Sequence, residues 1–146
     1  MSTPNVRVVV FDFDGVCTPS HHEFITDASG ALAPLRPGLA GVVNEIKARG
    51  LVTVLLSNEF DRSWVSTIED FPAFDHVLLG TDNGICKPDR RAFQRVGLVT
   101  GHRAEECLVI DDDETNLSSA VSIGCRGVLF DDENPAGSWE RVLTAC

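Results

Sequence analysis

The sequence predicts one α/β domain: a doubly wound parallel sheet of about five strands with helices on both faces. Strand-like and helix-like patterns alternate along all 146 residues, without an internal repeat or a low-complexity linker. The strands are short apolar runs, the clearest being Val6 to Phe11, and several of them end in polar groups. In an open α/β sheet, functional groups gather just past the carboxyl ends of the strands, so those endings deserve the chemistry.

Val6, Val8, Val9, Val10 and Phe11 make a nearly unbroken apolar run, the pattern of a parallel strand covered on both faces. Asp12 and Asp14 follow at period-two spacing around Phe13, and Gly15 stands where the chain can turn sharply. Beyond them, Glu23 to Thr26 and Ala31 to Leu32 flank the turn-like Asp27-Ala28-Ser29-Gly30, which predicts a small hairpin flap. His21-His22 reads as a surface pair, because adjacent histidines point in different directions and no third ligand has matching spacing.

Pro37 opens a helix with Leu39, Val42, Val43 and Ile46 on one face, and Gly50 closes it. Leu51 to Leu56 is the second strand and ends at Ser57-Asn58. Asp61 to Glu69 predicts a helix packing through Trp64, Val65 and Ile68 and stopped by Pro72, and Val77 to Leu79 predicts the third strand. Gly80 to Cys86 reads as a loop. Lys87-Pro88-Asp89 starts a helix with proline at or near its first turn and Ala92, Phe93 and Val96 inward. Cys107 to Ile110 is the fourth strand, running into Asp111-Asp112-Asp113-Glu114. Asn116 to Ile123 resumes a helix with Leu117, Ala120 and Val121 on one face and Gly124 as its cap. Gly127 to Phe130 is the fifth strand, and Ser138 to Leu143 a last helix carrying Trp139, Val142 and Leu143.

Composition narrows the partners. Asp and Glu total 22 against 12 for Lys and Arg, a net charge of −10, which disfavours nucleic acid and anionic membranes as bulk partners. The acid is clustered in Glu105 to Glu114 and Asp131 to Glu133, so a site within it attracts a divalent cation. No apolar run approaches a membrane span, and the N-terminal MSTPNVR has no export-signal pattern. The five cysteines are widely separated with no CxxC pair, which fits a reducing compartment; the expected location is the cytoplasm. Cys107 and Cys125 read as core residues, whereas Cys17 and Cys86 adjoin polar motifs and are candidates for thiol reactivity.

Asp12, Asp14, Ser57, Lys87 and Asp112 each sit at a strand end or in a loop that can face one rim. Together they are chemically complete for phosphoryl transfer: a carboxylate nucleophile, hard oxygen ligands for magnesium, and a hydroxyl and an ammonium for the phosphoryl oxygens. FDFDGV, LLSN, KPD and VIDDDETN occur in this order and resemble the four successive motifs of the haloacid dehalogenase superfamily, a match running from Val6 to about Phe130.

The resemblance implies a Rossmann-like fold and a magnesium-dependent phosphatase acting on a phosphate monoester through an aspartyl-phosphate. It makes Asp12 the nucleophile and Asp14 the general acid and base. It assigns Mg2+ to Asp12, the main-chain carbonyl of Asp14, and Asp112, with Asp111 behind them, and phosphoryl binding to Ser57, Asn58 and Lys87. Asp113 has two readings, an extra carboxylate for the cation or a cap for the following helix.

Dehalogenases of the same superfamily need no acid for a leaving alkoxide, so Asp14 favours phosphatase chemistry. Two alternatives share this architecture: a receiver-type phosphoacceptor domain, in which Lys-Pro follows the other motifs rather than preceding the second acidic one, and a catalytically silent interaction domain. The interval from Asp12 to Ser57, once its helix and strand are placed, leaves roughly twenty residues, enough for a flap and too few for a packed cap domain. A capless rim accepts a bulky phosphorylated substrate or is closed by a second subunit, which makes a homo-oligomer one of the two expectations.

Overall fold

The structure is a computed structural model and describes residues 5–19 and 35–146. The expected hairpin flap and His21-His22 lie outside the described residues. Five strands, β1 (Val8–Phe11), β2 (Val52–Ser57), β3 (His76–Leu79), β4 (Cys107–Asp111) and β5 (Arg126–Leu129), form one sheet in the order β3-β2-β1-β4-β5. Every neighbouring pair is parallel. The order reverses beside β1, the switch point at which doubly wound sheets place their ligands. Receiver-type sheets run 2-1-3-4-5 instead, so this topology sets the receiver alternative aside.

The central strand is buried throughout because alternate side chains enter different cores. Val9 and Phe11 join Leu55, Leu108 and Ile110 against α1 (Leu39–Ala48) and a C-terminal helix, Pro135–Ala145, through Leu39, Val43, Ile46, Trp139 and Val142. Val8 and Val10 join Val54, Leu56 and Val109 against the helices Arg90–Thr100 and Glu114–Ser122, through Phe93, Val96 and Ala120. Each large aliphatic or aromatic side chain so buried contributes on the order of 1.5–3 kcal/mol, which ties the rim to a stiff platform.

In chain order the remaining helices are α2 (Trp64–Thr67), α3 (Gly80–Asn83), α4 (Arg90–Thr100), α5 (Glu114–Ser122) and α6 (Pro135–Ala145). Two depart from the sequence reading. The helix expected over 61–69 shrinks to α2, because the Asp61 carboxylate accepts from the Ser63 N–H and hydroxyl, at 2.9 and 2.8 Å, and holds a turn there, while Ile68 is already extended. Val65 is exposed, and the segment is anchored by rings: Phe60 meets Phe13 at 4.6 Å, Trp64 at 5.2 Å and Phe71 at 5.5 Å between centroids. Gly80 to Cys86, expected as a loop, begins with the helical turn α3, where the Asp82 carboxylate accepts from the Leu79 N–H at 3.1 Å and from Arg62 and Arg95.

Pro88 lies one residue before the α4 cap rather than in its first turn; the Lys87–Pro88 peptide is cis, and Asp89 caps by accepting from the Arg91 N–H at 2.9 Å. On α5, Val121 is exposed, and only Ala120 of the expected face is fully buried. Among the described residues, only α2, β3 and α3 stand between β2 and α4, and no helix is long and apolar enough to cross a membrane.

Candidate active site

The ends of β1, β2 and β4 and the approach to α4 converge on one rim. Phe11 pairs with Leu55 and Ile110, and the Asp12 N–H continues the ladder to the Ile110 carbonyl at 3.0 Å, so the first acidic residue leaves the sheet level with Asp111. The chain then folds back on itself: the Cys17 and Thr18 N–H groups both reach the Phe13 carbonyl, at 2.8 and 3.2 Å. Gly15 carries the turn with φ +83, and a Cβ there would overlap the Asp112 carboxylate. Glycine is therefore required both by the left-handed backbone and by the approach of that carboxylate.

Arg36 locks the turn from below. Its buried guanidinium donates to the carbonyls of Val16 and Gly15 at 2.9 and 3.0 Å, pairs with Asp132, and lies 4.6 Å from the centre of the Phe130 ring. One side chain thereby links the β1 turn to the chain beyond β5.

Lys87 is the electrostatic centre. Its buried ammonium donates to Asp12 at 2.7 Å and Asp111 at 3.1 Å. Burial alone lowers the ammonium's affinity for its proton, and the two carboxylates outweigh that, holding Lys87 above its ordinary value. Burial pushes Asp12 up to about 7, against the pull of Lys87 and with the added repulsion of Asp111 and Asp112. Asp112 is also raised, by burial and by Asp111. Crowded acids with one ammonium among them have unmet demand for positive charge.

The donors match a hard cation. Carboxylate oxygens of Asp12, Asp111 and Asp112 lie within 4.8 Å of one another, an all-oxygen set of the kind magnesium takes. Asp111 has both oxygens occupied: one accepts from Lys87 and from the Asn116 amide at 3.2 Å, the other from the Asp113 N–H at 2.9 Å. Those bonds suit it to orient the site from behind and leave Asp12 and Asp112 as the outward-facing acids.

Asp12, Asp14, Ser57, Asn58, Lys87 and Asp112 all line one cavity of about 570 Å3. Asp14 is exposed at its mouth, where the Thr18 hydroxyl approaches it at 3.5 Å, and Ser57 is buried at the end of β2. Asn58 lines the cavity and also holds Lys87: its side chain accepts from the Lys87 N–H at 2.8 Å and donates to the Lys87 carbonyl at 2.9 Å, clamping that backbone in place. Asp113 caps α5, accepting from the Thr115 and Asn116 N–H groups at 2.7 and 3.3 Å. Cys17 is fully buried with its thiol donating to the Asp12 carbonyl at 3.3 Å, and burial raises its pKa well above the ordinary value, which opposes the reactivity its position suggested. Cys86 is exposed.

Asn116 and Arg36 were not among the sequence candidates. Asn116 sits in VIDDDETN, in the first turn of α5 five residues after Asp111, a recoverable signal; Arg36 has no motif around it.

Comparison with known proteins places these features in context. The family model for haloacid dehalogenase-like hydrolases matches residues 28–124. The GMP/IMP nucleotidase YrfG of Escherichia coli is 32% identical over 118 residues, 77% of this chain and 53% of that protein. Mouse acyl-CoA dehydrogenase family member 10 is 33% identical over 97 residues, 65% of this chain and 9% of that protein. The chain thus spans about half the length of the nucleotidase and a small part of the mouse protein. Among solved structures, a HAD family enzyme of Bacteroides thetaiotaomicron, crystallised with magnesium and inorganic phosphate, superposes with a TM-score of 0.73 at 16% identity, over 88% of this chain and 96% of that one, a likeness of fold.

Proposed function

Because the chain belongs to the haloacid dehalogenase-like hydrolases, we propose that it is a magnesium-dependent phosphatase that cleaves phosphate monoesters through a phosphoryl group carried on Asp12. The observation that carries this reading is the buried Lys87 ammonium held between Asp12 and Asp111, with Asp14 two residues away at the mouth of the same cavity. The nucleotidase relative and the magnesium and phosphate bound by the Bacteroides enzyme support it.

The Asp12 carboxylate attacks phosphorus, and the bond to the ester oxygen breaks. Lys87 and the Ser57 hydroxyl donate to the phosphoryl oxygens, neutralising charge that in water would be met by solvent. Asn58 keeps Lys87 in place through both main-chain polar groups. Asp14 gives its proton to the leaving alkoxide and then accepts one from the water that cleaves the acyl phosphate, so acid and base alternate on one group. Asp12, the main-chain carbonyl of Asp14 and Asp112 would hold a magnesium ion, which would supply the positive charge that lets a phosphate dianion approach these acids.

Asp14 separates this reading from dehalogenation, which generates no alkoxide to protonate. Among the described residues no separate lid domain stands over the cavity, so a bulky phosphorylated substrate or a neighbouring subunit completes the rim. The test is phosphate release from an aryl phosphate, followed by a screen of phosphorylated metabolites, with and without magnesium. Asp12→Asn should lower turnover by several orders of magnitude while keeping the fold. Turnover that survives chelation or the Asp12→Asn change refutes the proposal, and absence of turnover on every ester favours the silent interaction domain.

A further inference from the structure

Resting on the phosphatase reading, we propose that the mouth of this cavity selects its ester by charge: it favours a leaving alcohol that carries a cationic group and rejects one that carries a second anion. Glu59, on the loop after β2, and Glu114, in the first turn of α5, line the mouth together with Asp14 and Asp113. Glu59 and Glu114 are both exposed. They come from separate elements and line the same cavity as Asp12 and Lys87, beside which the phosphoryl group of an ester would sit.

Among the described residues, no cation other than Lys87 lines the cavity to meet a second phosphate or a carboxylate. Lys87 is the cation that lines the cavity among the described residues, and its ammonium is already committed to Asp12 and Asp111. Arg36 is buried under the β1 turn and paired with Asp132, and Arg62 is drawn away to Asp82 and the Val77 carbonyl. Lys87 serves the phosphoryl group that reacts; the other charged side chains that line the cavity among the described residues are all acidic. Nucleoside diphosphates, sugar bisphosphates and phosphorylated hydroxy acids therefore meet repulsion, whereas amino-alcohol phosphates meet attraction and neutral alcohols neither.

Three small esters of primary alcohols test this: O-phosphoethanolamine, the monophosphate of a neutral diol, and 2-phosphoglycolate. Their kcat/KM values on the magnesium-loaded wild-type protein should fall in that order, with the cationic ester on the order of tenfold above the anionic one at low ionic strength. The ratio should shrink toward one as salt is raised. Calorimetric binding of the same esters to the Asp12→Asn protein should follow the same order without turnover. Glu59→Gln combined with Glu114→Gln should narrow the ratio by improving the anionic ester. Asp12-dependent hydrolysis with no charge order, or with an order untouched by the double substitution, overturns this inference and leaves the phosphatase reading standing. Failure of all three esters and of the aryl phosphate overturns both.

Discussion

Replacing Asp12 with asparagine should stabilise the metal-free protein even as it removes the nucleophile, and the gain should depend on pH. In the unfolded chain this carboxyl titrates near 3.8, and in the folded protein burial moves it to about 7. Between those values the folded state holds a proton that the unfolded state has lost, so stability falls as pH rises through the window, at about 1.4 kcal/mol per pH unit. The full penalty, on the order of 4 kcal/mol as an upper bound, is present above pH 7 and absent below about pH 4. Asparagine keeps the volume and carries no charge at any of these pH values, while Asp111 still holds the Lys87 ammonium at 3.1 Å. Urea unfolding in chelator at pH 5, 6, 7 and 8 measures the difference. It should be somewhat under half of its full size at pH 5 and reach roughly 2–4 kcal/mol in favour of Asp12→Asn at pH 8. Saturating magnesium should then restore the wild-type protein selectively, by mass action on its folded state. A difference that does not change with pH, or a variant less stable at pH 8, would show that the crowded acids do not strain the fold and would refute the reasoning.

Lys87→Met should be among the most damaging substitutions, because it leaves Asp111 buried without its cation; a loss of about 3–5 kcal/mol in denaturant unfolding is expected alongside loss of phosphate release. Gly15→Ala forces a left-handed residue against Asp112, so stability should drop by about 1–3 kcal/mol, and magnesium should produce a smaller thermal shift than in wild type. Asp113→Ala should cost about 1 kcal/mol as the lost cap of α5 without altering the magnesium concentration needed for half-maximal activity; a tenfold rise in that concentration would make Asp113 a ligand instead. Asn58→Ala frees the Lys87 backbone, so it should lower kcat more than it raises KM for an aryl phosphate; a pure KM effect would return Asn58 to direct substrate contact.

The amino-acid sequence by itself determined the strands, most of the helices and the candidate acids. Apolar runs such as Val8 to Phe11 report burial on both faces, and helical spacing in Leu39, Val42, Val43 and Ile46 reports one covered face; both are properties of near neighbours, readable without knowing the partner. Asp12 and Asp14 were legible for the same reason, since a residue that follows a buried strand must emerge at its end. The short helix α2 was misjudged because Asp61 competes for local donors, and Val65 and Val121 because apolar character does not by itself say that a partner stands opposite. Tertiary structure alone decided the strand order, and with it which acids meet. It separated the three adjacent aspartates: Asp111 is tied down by Lys87, Asn116 and the Asp113 N–H, Asp112 faces the cavity, and Asp113 turns to its own helix. It also revealed Asn58 as the clamp on Lys87 and Arg36 as the lock beneath the β1 turn. Such roles come from polar partners 20 or more positions apart, Lys87 and Asp12 being separated by 75, and hydrogen-bond geometry across that distance is set by how strands and helices pack rather than by any pattern along the chain.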